Sequence, residues 1–215
     1  MMNPKPILLA ALVLAGFAVA GVSLVAVTKA AMADRIAANQ RQAMQRKLAA
    51  IVPSGGDNDP LADHIEVSDP DRLGIARTRI YRVRRGDQPV ALILDPVVQN
   101  GYAGPIHLLI SVLPDGRVGG VRVLSHRETP GLGDKIDEAK SDWIYRFNGK
   151  SLDQPTLDQW AVKRDGGTFD QFTGATITPR AIVTAVKNAL LYVRSQGARL
   201  YGEPPVARHH APEAS

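Results

Sequence analysis

The chain has 215 residues, of which 22% are charged and 45% hydrophobic, so it is long and apolar enough for one folded domain with accessory segments. Its 26 lysines and arginines against 21 aspartates and glutamates leave a net charge of only +5, and zinc-finger, helix-turn-helix and RNA-binding signatures are missing, which argues against nucleic acid as a partner. The lack of cysteine excludes disulfides and cysteine-ligated iron–sulfur or zinc centres within this chain, so a redox function would have to depend on an organic cofactor.

The first predicted element is an apolar helix long enough to cross a membrane. Residues 7–27 contain no charged side chain, and these 21 residues match the ~20 that span the hydrocarbon core of a bilayer. The Ala-Ala-Met-Ala stretch at 30–33 could serve as a signal-peptide cleavage site, but the apolar run is long for a signal peptide. We therefore predict an N-terminal tail over 1–6 and an uncleaved transmembrane helix over 7–28.

The charges beside this helix give a weak signal for its orientation. Lys5 precedes the helix, whereas Lys29, Arg35 and Arg41 follow it. By the positive-inside rule this distribution slightly favours a cytoplasmic globular domain, although large domains translocate regardless of so small a bias.

The segments around the globular part are predicted from changes in composition. Amphipathic spacing over 29–51 predicts a juxtamembrane helix that extends the span, and the Pro- and Gly-rich stretch 52–60 predicts a linker. The globular domain then covers 61–200, and a flexible tail covers 201–215. The His-His pair in that tail lacks further ligands, so we predict no metal site.

The first half of the globular domain is predicted to be rich in strands. Residues 77–85 alternate arginine with apolar residues and predict a half-exposed strand with a solvated arginine face, the alternative being a patch for anionic lipid or a partner subunit. Residues 89–95 predict a buried strand. Apolar alternation over 106–112 and 118–123, on either side of a Pro-Asp-Gly turn, predicts a hairpin.

The second half is predicted to alternate glycine-rich loops with helices. The loop 128–136, which contains Thr-Pro-Gly-Leu-Gly, is followed by apolar residues at helical spacing, and we expect a helix that buries Ile136, Ala139, Trp143 and Phe147. We interpret Trp143 as a core residue rather than a stacking platform for a ligand. Residues 160–163 predict a short strand and 164–167 a turn. The complete fold is predicted to be α+β, with a twisted, largely antiparallel sheet and flanking helices behind one membrane anchor.

The segment 170–179 predicts a small-residue turn that leads into a helix. Thr178 is a good N-cap, Pro179 suits the first helical position, and Ile182, Val186, Leu190 and Val193 recur on one helical face. A helix N-terminus offers unpaired N–H groups and a positive dipole end, which suit a phosphate, although an ordinary capped loop has the same composition.

The exact string in this segment resembles a flavin-attachment motif. Asp-x-x-Thr-Gly-Ala-Thr is similar to the motif of covalent FMN-binding subunits, in which a threonine oxygen forms a phosphoester with FMN and a separate transferase takes the FMN from FAD. The resemblance implies that Thr176 is the acceptor, with Thr178 following it. The remaining positions of the motif are Asp170, Thr173, Gly174 and Ala175.

A second segment resembles the same family. Glu-Thr-Pro-Gly-Leu-Gly over 128–133, with a tryptophan about ten positions on, is similar to the family's flavin-pocket loop, which implies that Thr129 and Leu132 line the pocket. Glu128 would accept hydrogen bonds from polar edges of the ligand or be a solvated loop carboxylate. Lys163 would help neutralise the phosphate of the ester or be solvated.

Together, the two motifs, the N-terminal span and the length resemble the G subunits of Rnf (Rsx) electron-transport complexes. The C subunits of sodium-translocating NADH:quinone reductase are a close alternative. The resemblance implies an inner-membrane protein whose periplasmic FMN domain relays electrons between ferredoxin and NAD in a complex that moves ions. Its implied partners are membrane flavin and iron–sulfur subunits and an FAD-dependent FMN transferase, and no residue is expected to act as a general acid or base. A flavin-free scaffold and a flavin reductase for soluble substrates remain alternatives.

Overall fold

A computed structural model of the chain describes residues 4–52 and 55–202. The histidine pair at 209–210, for which we predicted no metal site, lies outside these residues, as does the predicted tail after residue 202. The chain forms two compact units, Met1–Met44 and Gln45–Ser215.

The N-terminal unit consists of helix α1, which runs from Pro4 to Ala49 and continues into the second unit. One continuous helix thus covers the predicted transmembrane helix, 7–28, and the predicted juxtamembrane helix, 29–51, as far as Ala49. The apolar side chains over 8–27 are exposed, with Leu12, Phe17 and Val22 between 68% and 75% accessible. Among the described residues α1 is the one helix long and apolar enough to cross a membrane. At ~1.5 Å per residue it is about 70 Å long, more than twice the ~30 Å hydrocarbon core, so it also extends beyond a span.

The globular unit is built on a six-stranded antiparallel sheet. The strand bounds are β1 His64–Val67, β2 Thr78–Arg85, β3 Gln88–Leu94, β4 Val97–Val98, β5 Ile106–Val112 and β6 Val118–Ser125. Strands β3 and β4 pair with successive stretches of β5 along one edge of β5, and β6 pairs with its other edge. Strand β2 lies between β1 and β3. The strands predicted over 77–85, 89–95, 106–112 and 118–123 are confirmed as β2, β3, β5 and β6, and the predicted hairpin and the α+β class are confirmed as well.

In the described part of the globular unit two α-helices accompany the sheet, a short α2 (Pro70–Leu73) and the long α3 (Ile177–Gly202). Ile182, Val186 and Leu190 of α3 are buried in the main core, which confirms the predicted apolar face. The core continues into an aromatic cluster, in which Phe147 stacks on Phe169 with ring centroids 4.8 Å apart.

The helix predicted after the Thr-Pro-Gly-Leu-Gly loop is wrong. Two 3₁₀ helices, Gly133–Ile136 and Asp142–Phe147, occupy this region, and Ala139 between them is exposed. The interruption has a local cause. The Asp137 carboxylate accepts from the backbone N–H of Ala139 at 3.0 Å, and the Ser141 hydroxyl oxygen accepts from that of Trp143 at 3.2 Å. Such side-chain bonds compete with the α-helical ladder.

Two further predictions need correction. The strand predicted over 160–163 is only an isolated bridge between Val162 and Phe169, because Lys163 already starts a 3₁₀ helix, Lys163–Asp165, which Gly166 caps. The arginine face of β2 is not uniformly solvated, since Arg82 is only 2% exposed and forms an ion pair with Asp63. A buried guanidinium is tolerable here because its Nε donates to the Asp63 carboxylate at 2.7 Å.

The C-terminal end of α3 extends beyond the predicted domain boundary at 200. Arg84 donates to the carbonyl oxygen of Tyr201 at 2.6 Å, and Arg82 donates to that of Leu200 at 3.4 Å. Cations at this position satisfy the last carbonyls of the helix and interact favourably with its negative dipole end. The structured domain therefore includes Tyr201 and Gly202.

Candidate functional site

The site is centred on the N-terminus of α3. The helix starts at Ile177, so Thr176 occupies the N-cap position, and its carbonyl oxygen accepts from the N–H of Arg180 at 3.4 Å. The predicted N-cap, Thr178, lies instead inside the first turn and is fully buried. The Thr178 hydroxyl donates to the Glu128 carboxylate at 2.6 Å. A hydrogen bond to a charged acceptor is stronger than one to a neutral group, and this acceptor comes from a distant loop rather than from the helix itself.

The turn before the helix depends on a glycine. Gly174 has φ +82°, a left-handed conformation that a residue with a side chain rarely adopts. The N–H of Ala175 donates to the carbonyl of Phe172 at 3.1 Å and closes the turn. A Cβ at Gly174 would lie 3.4 Å from Leu132 Cδ2, so this turn also packs directly on the Thr-Pro-Gly-Leu-Gly loop.

A cavity of about 330 Å³ lies where these segments meet. Three parts of the chain, more than 20 residues apart in sequence, contribute to it: the 101–105 loop, the 128–133 loop and the turn into α3. The lining residues are Tyr102, Glu128, Thr129, Leu132, Gly133, Gly174, Ala175, Thr176 and Ile177. The tertiary structure thus brings residues of both sequence motifs to the lining of one cavity.

The cavity rim is apolar and open to solvent. Tyr102 is 68% exposed, Leu132 41% and Ile177 45%. In the described part of the globular unit these are three of the five large hydrophobic side chains with such exposure, the others being Tyr145 and Leu157. Apolar side chains that gather around a cavity rather than scatter over a surface are typical of a ligand site.

The three threonines of the motif have different environments. The Thr178 hydroxyl is buried and donates to Glu128. Thr173 is exposed and does not line the cavity. Thr176 is half-buried and lines the cavity at the N-terminal end of α3. Only Thr176 among these three combines access to the cavity with a position at the helix N-terminus.

Asp170 and Lys163 lie apart from this cavity. They form an ion pair with Lys163 Nζ 2.5 Å from Asp170 Oδ1, and both line a separate cleft that also contains Arg146 and Lys150. The carbonyl oxygen of Asp170 accepts from the indole Nε1 of Trp143 at 2.8 Å. Trp143 is 7% exposed and lies edge-on to Phe172 with ring centroids 5.1 Å apart, so it supports the turn from within the core.

Sequence analysis did not assign three of the lining residues to the site, namely Tyr102, Gly133 and Ile177. Tyr102 lies in a glycine-rich loop whose only signal was a solitary aromatic residue between turn-forming neighbours. The N–H of Ala103 donates to Glu128 Oε1 at 3.1 Å, and this contact across 25 residues fixes the loop against the cavity. Ile177 could be recognised only once the helix start was known.

Other features of the globular unit do not compete with this site. A larger cavity, of about 460 Å³, lies between the β5–β6 turn and the C-terminal half of α3, but it contains no residue of either motif. Within residues 4–52 and 55–202, no group of three or more histidines, aspartates and glutamates could hold a metal ion.

Comparison with known proteins shows the family of the chain. The family described as FMN-binding domain matches residues 101–191, which include the whole cavity, and the RnfG N-terminal region matches residues 1–51. The chain is 48% identical to the G subunit of the ion-translocating oxidoreductase complex of Pseudomonas aeruginosa (strain UCBPP-PA14), over 81% of this chain and 82% of that protein. It is 43% identical to the corresponding G subunit of Vibrio cholerae serotype O1 (strain M66-2), over 79% of this chain and 84% of that protein.

A third relative agrees with these two. The G subunit of the ion-translocating oxidoreductase complex of Yersinia pestis is 49% identical over 74% of this chain and 75% of that protein. With an exposed apolar helix at one end and an FMN-binding domain around the described cavity, this chain belongs to the family of G subunits of ion-translocating oxidoreductase complexes.

Proposed function

We propose that the chain is the membrane-anchored flavoprotein subunit of an ion-translocating oxidoreductase complex and that it carries FMN as a phosphoester on Thr176. Membership of the G-subunit family and the match to the FMN-binding domain support the flavoprotein assignment. One observation supports the choice of residue. Thr176 lines the cavity beside the start of α3, whereas the Thr178 hydroxyl is engaged by Glu128 and Thr173 lies outside.

The residues around the cavity fit the two ends of FMN. The first N–H groups of an α-helix have no partner within the helix, and with the positive dipole end they suit the phosphate. Gly174 and Ala175 add little bulk in front of these groups. Tyr102, Leu132 and Ile177 provide apolar surface for the isoalloxazine ring. The volume lies near the lower end of the ~300–1,000 Å³ found for ligand sites, so the site covers only part of the cofactor.

In this proposal each part of the chain has a limited task. Thr176 supplies the ester oxygen, the α3 terminus holds the phosphate and the apolar rim orients the ring. FMN, when bound, supplies the ability to accept and pass on electrons, and the chain needs no general acid or base for that. Helix α1 anchors the domain in the membrane.

The wider setting of the proposal comes from the family. The complex would transfer electrons between ferredoxin and NAD and couple this to ion movement, with membrane flavin and iron–sulfur subunits as partners. An FAD-dependent transferase would attach the FMN and release AMP. The anchor would lie in the inner membrane with the flavin domain on the periplasmic side.

The attachment is tested by the intact mass of the full chain produced together with an FAD-dependent FMN transferase. We expect the wild-type chain to gain the mass of FMN less one water and to fluoresce on a denaturing gel. Thr176→Ala should abolish both signals, whereas Thr176→Ser keeps a hydroxyl at the same position and should retain them. Thr184→Ala, which alters an exposed threonine two turns further along α3, is the matched control and should be fully modified.

Two results would contradict the proposal. If the wild-type chain gained no flavin mass in the presence of the transferase, it would not carry FMN as an ester. If Thr176→Ala retained the covalent flavin, the attachment site would be a different residue.

A further inference from the structure

We infer that Glu128 is a tuning residue, which keeps an uncompensated negative charge in the wall of the cavity and thereby lowers the reduction potential of the flavin held there. This inference rests on the proposed function, because it presupposes flavin in the cavity. Glu128 lines the cavity and is only 5% exposed, so solvent screens its charge poorly.

Both carboxylate oxygens of Glu128 are bound by neutral donors. Oε2 accepts from the Thr178 hydroxyl at 2.6 Å, and Oε1 accepts from the backbone N–H of Ala103 at 3.1 Å. Such bonds satisfy the oxygens without adding a compensating unit charge. The protein thus supplies one donor to each oxygen of the carboxylate that the sequence analysis assigned to the ligand or to solvent.

No cation pairs with the Glu128 carboxylate in the part of the chain that the structure describes. Within the described residues, no lysine, arginine or histidine nitrogen forms an ion pair with its carboxylate. The nearby His126 accepts the backbone N–H of Glu128 at its Nδ1, and the imidazole is neutral in that arrangement. Asp134, on the same loop, is 7% exposed, and its Oδ1 has no hydrogen-bond partner among the described residues. Asp134 is thus a second buried acidic residue, six positions after Glu128 in the chain.

Close backbone contacts hold the carboxylate in place. A Cβ at Gly133 would lie 2.5 Å from Glu128 Oε2, and one at Gly101 would lie 2.9 Å from Oε1. The carboxylate is thus enclosed by two glycines, and it cannot swing into solvent without moving a loop. A fixed charge in a poorly solvated wall acts on every charge change in the cavity.

The direction of the effect follows from the charge balance of flavin reduction. When the oxidised ring takes up two electrons and one proton, it gains one net negative charge. A fixed carboxylate in the cavity wall opposes that gain and lowers the potential. Replacing the carboxylate by an amide of the same shape removes this opposition and raises the potential.

The test is a reductive titration of the flavin-loaded full chain with dithionite against a reference dye, followed by absorbance. We expect Glu128→Gln to shift the potential to more positive values. Glu138→Gln is the matched control, since Glu138 is 44% exposed in its side chain and pairs with Arg122, and it should leave the potential unchanged. The Glu128→Gln shift should persist at high salt, which screens surface charges. A potential equal to or below that of the wild type would overturn the inference.

A second variant tests the same idea from the opposite direction. Thr178→Val keeps the carboxylate but removes the donor that offsets part of its charge, so the potential should fall below that of the wild type. If Glu128→Gln takes up no flavin, an unchanged or higher potential in Thr178→Val overturns the inference. If both variants stay folded by circular dichroism but take up no flavin, Glu128 acts only through structure and the inference is overturned. Neither outcome bears on the proposed function, which is tested separately by the flavin content of the wild-type chain and of Thr176→Ala.

Discussion

Removing the guanidinium of Arg82 should destabilise the globular unit far more than removing that of Arg117, an exposed arginine whose ion pair is equally short. Arg82 is 2% exposed, and its Nε donates to Asp63 Oδ1 at 2.7 Å. Breaking a buried ion pair by deleting one partner costs about 3–5 kcal/mol, because the other charge is left without compensation. Asp63 is 22% exposed in its side chain and keeps Arg84 at 3.0 Å, so we expect the lower end, about 3 kcal/mol.

The assay is thermal unfolding of the full chain in detergent, followed by circular dichroism. For a domain of this size 1 kcal/mol corresponds to a shift of roughly 2–4 °C, so Arg82→Ala should lower Tm by about 6–12 °C. Arg117→Ala is the control. Its ion pair with Asp115 is just as short, at 2.6 Å, but its side chain is 57% exposed. Exposed pairs contribute about 0–1 kcal/mol. If the two variants lost equal amounts of Tm, burial would not be what makes the Arg82 pair important.

Two other substitutions test the packing and the electrostatics of the unit. Gly133→Ala places a Cβ 2.5 Å from Glu128 Oε2 and should lower the free energy of unfolding, measured by denaturant titration, by about 1–3 kcal/mol. Gly197→Ala on α3 is the control and should not destabilise, because the nearest atom to its Cβ lies at 3.8 Å. Equal effects of the two substitutions would show that the 128–133 loop can move to accommodate the methyl group. Burial raises the pKa of the Asp95 carboxyl above its ordinary value of 3.8, against the opposing pull of Arg79 and His107. The charged form therefore costs stability, and this cost is absent below the unfolded pKa and grows as the pH rises through the folded one. Asp95→Asn should raise Tm at pH 7 but not near pH 3, and an equal gain at both pH values would contradict this assignment.

Several features of the molecule could be predicted because they depend on local patterns. The apolar run of α1, the alternation in β5 and β6 and the 3.6-residue spacing of α3 each determine an element from its own residues. The two motifs around 128–133 and 170–178 also carry a resemblance specific enough to predict that they share one site. The structure brings part of each motif to a single cavity.

Other features were decided by segments far apart in the chain. The sequence of β2 alone could not show that Arg82 is buried, because its partner Asp63 and the carbonyl of Leu200 are supplied by other segments. Thr178 is a good N-cap by local rules, but Glu128, 50 residues earlier, engages its hydroxyl.

Local sequence thus determined helices α1 and α3 and strands β2, β3, β5 and β6, and it determined which residues carry the family motif. The tertiary structure decided which threonine faces the cavity, that Tyr102 joins its rim and that Glu128 is enclosed in its wall. The physical reason is that burial, and with it the strength of charges and hydrogen bonds, depends on what packs against a residue rather than on its neighbours in sequence.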